Sequence, residues 1–159
     1  MKKYSELRLL AEKSKPDFIQ YYKKNKKQLA KNDAIVHQLH DEYSSRIDCL
    51  SCANCCRTLG PAISHKDIDR MSKALRMKPS DVVSTYLKID EDNDYVFNSM
   101  PCPFLMPDNY CSIYEYRPKA CREYPHTDRK KFSQIFNLTV KNTSTCPIAY
   151  EVLTNLIKK

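Results

Sequence analysis

Gly60 is the single glycine of the 159-residue chain, and that scarcity excludes more folds than any other feature. A Gly-rich phosphate loop or a dinucleotide fingerprint needs several glycines for close backbone approach, so neither is present. Large all-β architectures with many Gly turns are also disfavoured, which leaves a mostly helical protein. The chain is long enough for one domain with its own core, or for a domain plus an appended arm. Its 29% charged residues make it polar, while 11 Tyr and 5 Phe argue against wholesale disorder.

Eight cysteines are the strongest chemical signal. Met1-Lys2-Lys3 matches the basic start of a secretory leader, but Glu6, Arg8 and Glu12 interrupt any apolar stretch behind it. No run approaches the ~18 apolar residues of a membrane span. The expected location is therefore the reducing cytoplasm, with no membrane partner. There, clustered cysteines read as metal sites or redox centres rather than disulfides.

Residues 1–46 contain no cysteine and read as a basic helical arm, with 11 Lys/Arg against 6 Asp/Glu, or +5 of the chain's +8. Phe18, Tyr21, Tyr22 and Leu29 recur at roughly helical spacing, and Ser14 before Pro16 predicts a helix opening there. Asn32-Asp33 breaks the pattern and is placed to cap a second helix carrying Ile35, Val36, Leu39 and Tyr43. Residues 47–159 read as the cysteine-cluster domain. Ser64-x-x-Asp67 predicts a capping box before Ile68, Met71 and Leu75, and Pro79 opens a short helix with Val82, Val83, Tyr86 and Leu87. Tyr95-Val96-Phe97 reads as a strand. Pro107-Asp108-Asn109, between Cys102 and Cys111, predicts a small hairpin. Arg117-Pro118 starts a helical turn holding Cys121, and Ile148, Val152, Leu153, Leu156 and Ile157 mark a final amphipathic helix.

Cys49-x2-Cys52-x2-Cys55-Cys56 is spaced so that consecutive thiolates turn back on one ion or cluster. Three such cysteines with a remote Cys-Pro occupy the corners of an iron–sulfur cluster, and Cys102-Pro103 and Cys146-Pro147 are two such pairs. The same residues suit four-thiolate zinc sites. Side chains of adjacent residues are expected to diverge, so Cys55 and Cys56 are assigned to different sites; eight cysteines then divide into two sets of four, or into one cluster with spare cysteines. Zinc knuckles often use a glycine after the second cysteine to reach positive φ. Here the residues that follow the cysteines are Leu50, Ala53, Cys56, Arg57, Pro103, Ser112, Arg122 and Pro147, which narrowly favours iron–sulfur over zinc. Two sites of four thiolates and a 2+ centre would each carry −2, so nearby donors are needed. Arg57, Arg117 and Arg122 are the candidates, with Arg122, next to Cys121, preferred.

The order Cys49-x2-Cys52-x2-Cys55-Cys56, Cys102-Pro-Phe-Leu, Cys111-Ser-Ile-Tyr-Glu-Tyr-Arg-Pro-Lys-Ala-Cys121-Arg-Glu-Tyr-Pro and Cys146-Pro resembles the CxxCxxCC, or YkgJ-type, cysteine cluster family. The resemblance covers about residues 49–147 and includes all eight cysteines. It implies zinc or iron chelation, with Cys49, Cys52, Cys55, Cys56, Cys102, Cys111, Cys121 and Cys146 as ligands. Some longer members resemble flagellin lysine-N-methylase.

Other residues favour plainer readings. His37 and His40 stand three apart on one helix without an HExxH-type pattern, so a helical face is preferred to a metal pair. His126 is the histidine nearest the cysteines in sequence. The Lys23–Lys27 run with Tyr21 and Tyr22 offers a nucleic-acid surface, but a solvated helix face is preferred. The acidic segment 90–94 lacks the glycine and distal Glu of an EF-hand and reads as a turn. The expected protein is mostly α with a small β-hairpin, stapled by metal in a single cysteine-cluster domain. Its expected function is metal binding. Three purposes are open: an interaction module contacting protein or RNA through the basic arm, an electron carrier or oxidoreductase, and a methylase-related component.

Overall fold

The computed structural model describes residues 4–159, so the Met1-Lys2-Lys3 stretch weighed as a leader lies outside the described residues. In chain order the elements are α1 (Leu7–Lys31), α2 (Ala34–Arg46), α3 (Cys49–Cys52), α4 (Asn54–Thr58), α5 (His65–Leu75) and α6 (Pro79–Tyr86). Strands β1 (Leu87–Ile89) and β2 (Tyr95–Phe97) follow, then α7 (Lys119–Glu123), α8 (Phe136–Asn142) and α9 (Pro147–Leu156). Single 3-10 turns occupy Tyr114–Tyr116 and Phe132–Ile135. The fold is mostly helical with one two-stranded antiparallel hairpin, as expected. It divides into two compact units, residues 1–49 with 125–159, and residues 50–124. No described helix is long and apolar enough to cross a membrane.

In the first unit α2 packs on α9, and α1 packs on α8, α9 and the 132–135 turn. Phe18, Val36, Phe132, Phe136, Val152 and Leu153 are fully buried. Tyr22 stacks on Phe136 at 4.5 Å between ring centroids, and its hydroxyl donates to the Ser133 carbonyl at 2.7 Å. Helix α1 starts at Leu7, not at Pro16, which lies inside it. An interior proline costs about 3 kcal/mol. Burial of Leu7, Ala11 and Phe18 along one face offsets that cost, since a buried large apolar side chain contributes roughly 1.5–3 kcal/mol. The break at Asn32-Asp33 is as expected, but Asp33 does not cap α2 with its side chain. Its carboxylate instead accepts the N–H groups of Lys131 (2.7 Å) and Phe132 (3.2 Å), while Asn32 Oδ1 accepts from Ala34. His37 and His40 reach the same loop, at the Arg129 carbonyl (3.1 Å) and Thr127 Oγ1 (2.7 Å). This pair holds a loop.

In the second unit the capping box is present: Ser64 Oγ accepts the Asp67 N–H at 3.2 Å, and Asp67 Oδ2 accepts the Ser64 N–H at 2.9 Å. The core gathers Ile63, Ile68, Met71, Val82, Leu87, Phe97, Phe104 and Ile113. Leu87 belongs to β1 rather than to α6, paired with Phe97 across the hairpin. The acidic segment 90–94 is the hairpin's turn, closed by Asp90 Oδ1 accepting the N–H groups of Asp92 and Asp94. The hairpin expected between Cys102 and Cys111 is only a single bridge, Leu105 to Cys111. Pro103 and Pro107 lack the N–H groups that would extend a ladder.

Charge divides with the fold. The first unit holds 17 Lys/Arg against 9 Asp/Glu, and the second holds 10 against 10. The whole +8 therefore lies outside the unit that carries six of the eight cysteines.

Candidate metal centre

Cys49 and Cys146 fall in the first unit; Cys52, Cys55, Cys56, Cys102, Cys111 and Cys121 fall in the second. Cys52, Cys56, Cys102, Cys111 and Cys121 stand outside any disulfide.

Helices α3 and α4 are separated by Ala53, a buried residue at φ 49. The residue after Cys52 thus takes the left-handed turn that the absence of glycine argued against. Alanine pays roughly 1–2 kcal/mol for that conformation, so surrounding contacts hold it there. Arg57 supplies two of them, with Nη1 donating to the Cys52 carbonyl at 2.9 Å and Nη2 donating to Asn109 Oδ1. The segment bearing the first cysteines is thereby tied to the turn between Cys102 and Cys111.

Backbone bonds bring four cysteines together. Cys102 N–H donates to the Cys56 carbonyl at 2.8 Å, and Cys111 lies opposite Leu105 across the bridge. Helix α7, which carries Cys121, is anchored from α5: Asp67 Oδ1 accepts the Lys119 N–H at 3.0 Å, and Arg70 Nη2 donates to the Arg117 carbonyl at 2.6 Å. Asp67 therefore caps α5 with one oxygen and positions α7 with the other. Its sequence signal announced only the first of these tasks, and Arg70 and Asn109 carried no signal at all.

The sulfurs feel one another. Burial pushes the Cys121 thiol up to about 12, and negative charge at Cys102, Cys56 and Cys111 adds to that rise. Burial likewise drives Cys102 to about 11 and raises Cys111, with charge at Cys56 raising both. Backbone N–H groups oppose this by donating to sulfur, those of Phe104 and Leu105 at Cys102 and that of Ile113 at Cys111. Cys56 goes the other way, to about 6. A hydrogen bond from the Cys55 thiol stabilises its thiolate most, burial opposes, and the positive charges of Arg57 and Arg117 assist. The Cys55 thiol is thus a hydrogen-bonding neighbour of the Cys56 sulfur. Both side chains lie on the short helix α4, where consecutive positions differ by about 100° rather than pointing opposite ways.

Arg122, preferred from its place beside Cys121, is exposed. Arg117 is the guanidinium whose charge reaches Cys56, Cys111 and Cys121. Its Cζ lies 3.8 Å from the Tyr114 ring centroid, and its Nε is buried with no hydrogen-bond partner among the described residues. His126 sits in the first unit with φ 65.

Among the described residues, no three His, Cys, Asp or Glu side chains stand in the geometry that holds a metal ion. The donor chemistry nonetheless fits one. Four cysteines drawn from three chain segments of one unit, with N–H groups donated to two of the sulfurs, are the soft donors that a zinc or iron centre takes.

A mostly helical chain that gathers thiols in one compact unit is, in class, a cysteine-cluster protein. It belongs to the CxxCxxCC family, described as "Putative zinc- or iron-chelating domain", which matches residues 48–147. No curated protein and no solved structure matches the chain.

Proposed function

We propose that the protein is a metal-binding protein whose site is the four-thiolate set Cys56, Cys102, Cys111 and Cys121 of one unit, and that Cys49, Cys52, Cys55 and Cys146 are further candidate ligands. The observation that carries this reading is that backbone and side-chain bonds not involving sulfur tie the three segments bearing these cysteines together: Cys102 N–H to the Cys56 carbonyl, Leu105 opposite Cys111, and Lys119 N–H to Asp67. Tetrahedral sulfur donors select zinc or an iron–sulfur centre. When bound, zinc supplies a redox-inert charge that fixes the fold, whereas an iron–sulfur centre supplies one-electron chemistry.

The chain's own residues have defined tasks. Cys56, drawn down to about 6 by the Cys55 hydrogen bond, is the most readily ionised of the four. Cys102, Cys111 and Cys121 are thiols raised chiefly by burial, and each would lose its proton to solvent if it ligated a cation. Backbone N–H groups at Cys102 and Cys111 then hold the thiolates. With the left-handed turn at Ala53 in place, the lack of glycine no longer weighs against zinc. The test is elemental analysis with a visible spectrum on protein purified without oxygen. Stoichiometric zinc in a colourless protein supports a structural site and an interaction role, and a brown protein with a reversible potential supports electron transfer. Absence of both metals would overturn the reading.

A further inference from the structure

We propose that the first unit carries a phosphate-binding surface for double-stranded nucleic acid, formed where the exposed lysines of α1 from Lys23 to Lys31 meet the Arg129-Lys130-Lys131 loop. It stands apart from the metal site and uses none of the cysteines.

Three observations carry it. First, two basic runs far apart in sequence are tied together. No acidic residue lies between Phe18 and Asn32, a stretch that holds Lys23, Lys24, Lys26, Lys27 and Lys31, all exposed. Lys24, Lys27 and Lys31 share one face of the helix. The Tyr22 hydroxyl donates to the Ser133 carbonyl and Asp33 accepts the Lys131 N–H, both at 2.7 Å, so bonds on either side of the lysine run hold the loop against this end of α1. His37 fixes the same loop through the Arg129 carbonyl. Second, the eight cations of the two runs have no carboxylate partner. Arg8, Arg46 and Lys119 each pair with a glutamate four residues away, but none of the eight is in an ion pair among the described residues. The acids nearest the loop are engaged, Asp33 with the N–H groups of Lys131 and Phe132, and Asp128 facing His40 Nε2 at 3.9 Å. Such a patch repels itself and attracts polyanions. Third, the surface offers charge without stacking or apolar area. Tyr22 lies against Phe136 with its hydroxyl bonded, and the exposed tyrosines, Tyr110 and Tyr116, belong to the other unit. Single strands are held on aromatic platforms, whereas a duplex backbone asks only for cations. Neither run carries an exposed large apolar side chain to enter a bilayer. By itself the lysine run is a solvated helix face; the loop brought beside it makes it a binding surface.

The experiment titrates the full chain against a fluorescent DNA duplex of about 20 base pairs, at several salt concentrations, with the matching single strand and phosphatidylserine vesicles as separate probes. If about six of the eight cations reach phosphates, affinity for the duplex falls roughly 1,000-fold between about 50 and 200 mM salt. The variant Lys24→Gln/Lys27→Gln/Arg129→Gln/Lys130→Gln should bind more weakly at low salt and lower the slope of log affinity against log salt by about 3–4. Lys66→Gln/Lys73→Gln/Lys78→Gln/Lys88→Gln removes as much charge from exposed positions of the second unit and should leave affinity and slope near wild type. Circular dichroism reports the folding of each variant. Should the first variant fail to fold, Lys24→Gln/Lys27→Gln stands in, with about half the change in slope. Equal losses in the two fourfold variants would mean that net charge alone acts, and would overturn the proposal. So would tighter binding to the single strand or the vesicles than to the duplex, or no duplex binding at low salt. The metal reading is tested separately, by metal content, and survives any of these results.

Discussion

The backbone N–H of Cys102 lies 2.8 Å from the carbonyl oxygen of Cys56, so two cysteines far apart in sequence are joined before any metal is considered. Cys111 and Cys121 add their charges to the same neighbourhood. Cysteines that share the proposed site would be interdependent ligands. Cys56→Ser, Cys102→Ser, Cys111→Ser and Cys121→Ser should each remove the same equivalent of metal, and a Cys56→Ser/Cys102→Ser double variant should lose no more than either single one. Metal analysis by mass spectrometry checks this; additive losses would mean that the four do not share a centre.

The thiols also set a pH profile for the metal-free protein. Cys56 is held near 6, below the ordinary 9.0, so it contributes stability that is present above pH 9 and lost as pH falls through 6. Cys102 and Cys121 are held near 11 and 12, so they contribute stability that is present below pH 9 and lost as pH rises toward those values. Stability of the apoprotein should therefore peak near pH 9. Denaturant melts from pH 6 to 11 would show the maximum, and a flat profile would contradict the shared field.

Asp67 links the capping of α5 to the placement of Cys121. Burial pushes its carboxyl up, but the N–H groups of Ser64 and Lys119, the Ser64 hydroxyl and the Arg70 charge more than offset this and hold it below 3.8. Its contribution is thus complete above the unfolded carboxyl value and is lost as pH falls through the lower folded one. Asp67→Ala should cost about 1–3 kcal/mol at neutral pH, since it removes a cap and leaves the Lys119 N–H without its acceptor. The same variant should weaken metal binding by misplacing α7. A stability loss with unaltered metal affinity would separate the two roles.

The helical class, the capping box, the strand at 95–97 and the final helix are legible because each is written in local spacing. The start of α1 is not, because Pro16 signals a first turn and only burial of Leu7 and Ala11 carries the helix past it. The return of residues 125–159 to α1 and α2 rests on contacts such as Tyr22 with Phe136, which no short-range pattern announces. At the site, the cysteines are legible as a set. Their grouping is not, since it depends on Asp67, Arg70 and Asn109 reaching across the fold. The turn at Ala53 is not legible for a related reason: tertiary contacts hold an alanine where local propensity asks for glycine.

Metal removal should act unevenly. Residues 99–124 contain only short turns, one isolated bridge and α7, whereas α1, α2 and α9 enclose their own aromatic core. Chelation should speed hydrogen exchange across residues 50–58 and 99–124 and leave α1, α2 and α9 protected. Equal deprotection everywhere would mean that metal holds the whole chain together instead.

The most direct test is X-ray absorption at the edge of whichever metal co-purifies, because it counts the sulfurs around that metal without reference to the fold. The account predicts a first shell of sulfur alone, four per metal, at about 2.3 Å, with the four-sulfur shell lost in Cys102→Ser. A shell dominated by nitrogen or oxygen, or one left intact by that substitution, would contradict it.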